Sequence, residues 1–152
     1  MEHVHKHGFI HRDTKPENMT IGKGRKENDL FMIDFGLAKR YKHPTTGRHI
    51  PIKYDKSLIG TARYASLNAH RGIELSRRDD LEELCYLAIY LLKGQLPWQD
   101  IPAGSKEEKY QHIFMVKENT PIYVLCEDCP GKFLYTHESQ LSSIKLWNIS
   151  EV

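Results

Sequence analysis

The sequence predicts a mainly α chain with one small β hairpin. Three features carry that reading: a long apolar run opened by Ser76 and closed by Gly94, an amphipathic stretch from Ser105 to Glu118, and two short apolar segments flanking a polar turn between Met19 and Ile33. With 152 residues, 39% hydrophobic and 28% charged, the chain has the size and composition of one folded domain with a single core.

The region from Phe9 to Phe35 reads as short β elements around loops. Met19-Thr20-Ile21 is a strand, the polar segment from Lys23 to Asn28 is a hairpin turn, and Leu30 to Ile33 is the partner strand. Gly36 to Asn68 is polar and holds Pro44, Gly47, Pro51 and Gly60 without periodicity. A connection of that length inside a compact domain is usually functional. Ser76 with Asp79 three residues on resembles a helix cap, and Gly94 followed by Pro97 ends the helix. From Leu84 this helix is apolar on every face, which predicts a place in the centre of a core. The second helix turns Tyr110, Ile113, Phe114 and Val116 inward. Pro121 to Leu125 reads as extended, a short helix is expected after Pro130, and Gln140 to Val152 shows no pattern.

The net charge of +2 is too small for a nucleic-acid-binding surface, where a basic stripe should dominate one face. Three cysteines, Cys85, Cys126 and Cys129, imply no disulfide framework. A reducing compartment is expected, the cytoplasm first and the nucleus second. The first residues have no apolar signal core. The longest apolar run, Leu84 to Leu92, falls well short of the about 20 residues of a membrane span, so a soluble protein is expected. His3, His5, His7 and His11 could converge on a metal only if that stretch were a strand, and Cys126-x-x-Cys129 has no second pair to complete a zinc site. The blander reading is preferred for both.

The chemistry lies in His11-Arg12-Asp13-Thr14-Lys15-Pro16-Glu17-Asn18, followed by Asp34-Phe35-Gly36. Alone, the second triplet could belong to any strand-to-turn junction. Together and in this order they resemble the catalytic loop and metal-binding motif of eukaryotic-type Ser/Thr protein kinases. Phosphoryl transfer has a loose transition state, so such a site mainly positions groups and neutralises charge. The resemblance makes Asp13 the base that accepts the substrate hydroxyl proton, and Lys15 the cation that stabilises the transferred phosphate. Asn18 and Asp34 would be the oxygen ligands of Mg2+ bound with ATP. Thr61 would hydrogen-bond near Asp13 and Lys15. Small-molecule phosphotransferases share the Asp-to-Asn spacing but usually lack the Arg before the Asp and the Phe-Gly after the metal ligand.

Further along, Gly60-Thr61-Ala62-Arg63-Tyr64-Ala65-Ser66-Leu67-Asn68 and Ser76-Arg77-Arg78-Asp79-Asp80-Leu81-Glu82 are similar to the casein kinase 1 family. There Ser-Ile-Asn stands where most kinases carry Ala-Pro-Glu. Leu96-Pro97-Trp98-Gln99 and Thr120-Pro121-Ile122 extend the likeness, which runs from about Gly8 to Leu125 and weakly to Tyr135. The family implies protein substrates with acidic or phosphorylated sites, held by cationic side chains. By position, Arg63, Lys56 and Lys109 match one anion pocket, and Arg12 with Lys39 a second, although Glu107 and Glu108 would weaken the first. Asp80 matches a buried aspartate that supports the catalytic-loop backbone, with Arg12 in the same role.

The expected fold is therefore protein-kinase-like: a partial kinase domain over residues 1–136, of C-terminal-lobe type, with a divergent tail at 137–152. Only ten residues precede His11, and they hold no Gly-rich loop, strand lysine or partner glutamate, so the N-terminal β lobe is expected to be absent. Gly22-x-Gly24 follows the catalytic loop and reads as hairpin turn. Little activity is expected of this chain alone, together with an uncovered apolar surface. The alternative function is an inactive kinase fragment acting as a binding module.

Overall fold

The computed structural model describes residues 1–130. In chain order these form α1 (Glu2–Lys6), β1 (Phe9–Ile10), β2 (Met19–Ile21), β3 (Leu30–Met32), β4 (Lys39–Arg40), α2 (Leu67–His70), α3 (Arg77–Lys93), α4 (Lys106–Asn119) and α5 (Ile122–Leu125). The chain divides into two compact units, Met1–Leu87 and Ala88–Val152.

In the first unit, β2 and β3 pair antiparallel, with Met19 opposite Met32 and Ile21 opposite Leu30. The turn between them contains a 3₁₀ turn at Gly24–Lys26. A Cβ on Gly22 would lie 2.2 Å from the Lys26 carbonyl oxygen, so the turn closes this tightly only around glycine. A second pair, β1 with β4, aligns Phe9 with Arg40 and Ile10 with Lys39. Strands of two residues carry no alternation, which is why β4 has no signature in the sequence. The core beneath them is Ile10, Tyr41, Ala65, Ala69 and Leu75. Ser66 caps α2, its Oγ accepting the Ala69 N–H at 3.1 Å.

The start of α3 follows the sequence reading, since Asp79 Oδ2 accepts the Ser76 N–H at 2.7 Å. At its end Gly94 adopts φ +76° and its N–H reaches the Tyr90 carbonyl at 2.8 Å. Burial along α3 follows the expectation at Cys85, Tyr86, Leu87 and Ile89, which are buried, and departs from it towards both ends. Asp79, Asp80, Glu82 and Glu83 are buried, whereas Leu91 is 67% exposed and Leu92 half exposed. The acidic half is the deeper one because its carboxylates accept bonds from neighbouring segments. Glu82 Oε1, for instance, takes the Leu67 N–H and the Tyr86 hydroxyl, both at 2.8 Å.

In the second unit, Ser105 caps α4 by accepting the Glu108 N–H at 3.1 Å. Ile113 is buried, and Tyr110, Phe114 and Val116 are half-buried. Lys117 is buried as well, its Nζ 5.1 Å from the Trp98 ring centroid. Pro121 to Leu125, expected to be extended, instead turns into α5. The Leu125 N–H bonds the Pro121 carbonyl at 3.0 Å and the Cys126 N–H bonds that of Ile122 at 2.8 Å. With no partner strand among the described residues, a helical turn satisfies these backbone groups locally. Lys93 Nζ reaches the carbonyls of Leu125 and Glu127 at its far end. Cys126 and Cys129 are buried free thiols. The helix expected after Pro130 and the tail lie outside the described residues. No described helix is long and apolar enough to cross a membrane.

Candidate active site

Asp13 is buried, yet three side chains converge on its carboxylate. Lys15 Nζ lies 2.7 Å from Oδ2, Thr61 Oγ1 donates to Oδ1 at 2.9 Å, and Asn18 Nδ2 donates to Oδ2 at 3.1 Å. Asn18 also bonds the Asp13 carbonyl at 2.9 Å, so its amide nitrogen faces Asp13 and leaves the amide oxygen for another partner. The structure thus brings Asp13, Lys15, Asn18 and Thr61 together. Burial alone would raise the Asp13 pKa, but the bonds from Lys15, Thr61 and Asn18 outweigh it and hold the carboxyl below its ordinary range. Its own hydrogen bond to Asp13 raises Lys15 in turn.

The sign of the resulting pH dependence follows from that lowered value. Any stability this carboxylate contributes is present above the ordinary aspartate range and is lost as pH falls through the folded pKa, so the window lies on the acid side. We expect Lys15→Met to move the Asp13 titration upward, read by carboxyl carbon NMR. A titration unmoved by Lys15→Met would mean that the ion pair is not closed in solution.

Gly60 explains how Thr61 reaches Asp13. At φ +85°, a Cβ there would sit 2.5 Å from the Arg12 carbonyl oxygen and 3.4 Å from Asp13 Oδ1. The two loops therefore meet only across a glycine, a site residue the sequence reading quoted but did not single out. Its signal was its place immediately before Thr61.

Asp34 is exposed and left-handed at φ +59°, with Oδ1 accepting the Gly36 N–H at 3.0 Å. Its neighbour Ile33 donates its N–H to the Asn18 carbonyl at 2.9 Å, which ties the segment to the catalytic loop. His11 strengthens that tie. It is fully buried, places Nε2 3.2 Å from the Ile33 carbonyl and packs edge-on against Phe35 at 5.2 Å. Mg2+ needs few protein ligands when phosphates complete its shell. The Asn18 amide oxygen and the second Asp34 carboxylate oxygen fit that need as hard donors.

Asp80, buried on α3, holds the loop from below. Its Oδ2 accepts the His11 N–H and its Oδ1 the Arg12 N–H, both at 2.8 Å, while His5 Nε2 lies 2.7 Å from Oδ2. Arg12 carries φ +69°, a left-handed conformation that costs a non-glycine residue about 1–2 kcal/mol. Its Nε bonds the Leu37 carbonyl at 2.7 Å.

Lys56, expected beside Arg63 and Lys109, lines one cavity of about 130 Å³ with Arg12 and Lys39. Lys39 pairs with the buried Glu74 on the same wall, which lowers the net charge of the cavity. Arg63 lies with its guanidinium 6.0 Å from the Tyr64 ring centroid. Lys109 is exposed on α4 in the second unit. Among the histidines, His3 stacks on His7 at 4.3 Å, and His5 and His11 go to Asp80 and Ile33.

A base-like carboxylate clasped by a lysine, a threonine and an asparagine, beside an Asp-Phe-Gly turn, is the constellation of a phosphotransfer site. The chain matches the protein kinase domain family over residues 1–145. It belongs to the protein kinase family.

Proposed function

We propose that the chain derives from a Ser/Thr kinase of the casein kinase 1 type that uses ATP and Mg2+. The observation that carries this reading is the clasp on Asp13. Lys15 and Thr61 hold a carboxylate that stays ionised at neutral pH, so it can accept the hydroxyl proton of a serine or threonine. Lys15 stands beside the path of the transferred phosphoryl group, where its charge offsets the negative charge on the equatorial oxygens. Asn18 and Asp34 would hold the Mg2+ that supplies charge neutralisation when ATP is bound. Arg12, Lys39 and Lys56 around one cavity support a preference for acidic or phosphorylated protein segments, with Arg63 as a further contact. Cytoplasmic and nuclear proteins are the proposed substrates.

The test is transfer of labelled phosphate from ATP and Mg2+ to paired peptides, one with a phosphoserine upstream of the acceptor and one with serine there. Label on serine or threonine, with the primed peptide favoured about tenfold, is expected. Label on tyrosine, or no preference, would overturn the respective parts.

A second reading, a binding module, has one observation in its favour. Ile21 (67%), Leu30 (64%), Ile33 and Phe35 are exposed along β2, β3 and the turn that follows. An apolar surface of this kind usually meets a partner.

A further inference from the structure

The amides of the catalytic loop have side-chain acceptors one after another. His11 and Arg12 donate to Asp80, and the Asp13 N–H points at His11 Nδ1 at 3.4 Å. Thr14, enclosed between Asp13 and Lys15, donates its N–H to Glu83 Oε2 at 2.9 Å. Glu83 sits on α3 three residues after Asp80, so both side chains leave the same face of the helix. It is 1% exposed, as is Thr14, and neither appears in the phosphotransfer reading above.

A carboxyl in this place is costly. Burial pushes Glu83 well above the ordinary carboxyl range, and Asp80 pushes it further, while the bond from the Thr14 N–H pulls it down; Asp79 also raises it. Its Oε1 and the Thr14 Oγ1 are buried without a hydrogen-bond partner. A leucine would fill the space without these penalties but would leave the Thr14 N–H unpartnered, at about 1–3 kcal/mol. The acceptor at Oε2 is what a carboxyl offers here and an apolar side chain does not.

We infer that Glu83 is a positioning residue of the catalytic loop, its Oε2 accepting the Thr14 N–H and so fixing the Thr14 peptide and, through it, the Asp13–Lys15 pair. Lys15 Nζ can meet Asp13 Oδ2 at 2.7 Å only if the backbone between them keeps its course, and Thr14 is that backbone. The inference deepens the reading of Asp13 and Lys15 as the reacting pair.

The experiment is amide exchange by NMR on the full 152-residue chain, comparing wild type with Glu83→Gln and Glu83→Asp. Glutamine keeps an acceptor oxygen at the same reach; aspartate is one methylene short. We expect Thr14 exchange in E83Q to stay within about threefold of wild type, and in E83D to quicken about tenfold or more. The Lys15 ammonium resonance, slowed by its pairing with Asp13, should persist in E83Q and vanish in E83D. Failure of glutamine to preserve both signals overturns the acceptor role. Thr14 freed in E83D with the Lys15 resonance unchanged would reduce Glu83 to a packing residue. Should E83D not fold, the scalar coupling across the Thr14 N–H to Glu83 Cδ bond decides in wild type, and its absence overturns the proposal. None of these signals needs turnover, so a failed phosphate-transfer assay counts against the kinase reading and not against this one.

Discussion

Asp80→Ala is expected to be the most destabilising single substitution in the first unit, by about 3–5 kcal/mol. The carboxylate is 1% exposed and accepts from the His11 N–H, the Arg12 N–H and His5. Alanine removes every acceptor at once and leaves the His11 and Arg12 amides without their partner, the first of them buried. The left-handed Arg12 then loses the bond that holds it in its strained conformation. Asp80→Asn separates acceptor loss from volume loss. Its oxygen can still serve one amide, but its NH2 group faces the other donor, so an intermediate cost is expected. Urea unfolding followed by circular dichroism reads both. A shift in unfolding free energy below about 1 kcal/mol for the alanine variant would show that the loop holds its course without this residue.

How much of this was legible in the sequence depended on the kind of signal. The helices α3 and α4 were readable because caps and periodicity are local: Asp79 bonding Ser76 and Ser105 accepting from Glu108 are interactions three residues apart. The hairpin was readable for the same reason. What failed was non-local. Pro121 to Leu125 has strand-like residues, but a strand needs a neighbour that the sequence cannot guarantee, and the segment closes on itself as α5. Hydrophobicity also misjudged depth along α3, since Glu82 and Glu83 are buried by acceptor duty while Leu91 is not buried. In the site, Asp13, Lys15, Asn18 and Asp34 were legible because they lie in contiguous motifs that resemble those of protein kinases. Which cations share a cavity, and that Gly60 must be a glycine, depended on loops far apart in sequence coming together, so closely that a Cβ on Gly60 would lie 2.5 Å from the Arg12 carbonyl oxygen. Glu83 carried no signal, because a glutamate on an exposed helix face and one bonded to the catalytic loop look alike as letters.

Asp13→Asn should lower phosphate transfer to protein by about 10²- to 10⁴-fold, the scale of losing a positioned general base. The substitution is nearly isosteric, yet its NH2 group meets donors in a buried place, so an intermediate loss of stability, about 1–3 kcal/mol, is expected beside the loss of transfer. What changes is chemistry and local electrostatics. An amide cannot accept the substrate proton at neutral pH. Its oxygen can still take the Thr61 hydroxyl, which now donates to Oδ1 at 2.9 Å, but its NH2 group then faces two donors, Asn18 Nδ2 and Lys15 Nζ. Lys15 loses its partner and is freed from the position in which it would meet the phosphoryl oxygens. Thr61→Val provides the contrast. It keeps the base and the ion pair but removes one bond to Oδ1, so a smaller loss, about tenfold, is expected. Single-turnover transfer from labelled ATP, each variant against the wild-type chain, makes the comparison independent of how fast the wild type is. Equal losses for the two variants would mean that orientation by Thr61, and not proton acceptance by Asp13, limits the reaction. No loss for Asp13→Asn would remove Asp13 from the chemistry altogether.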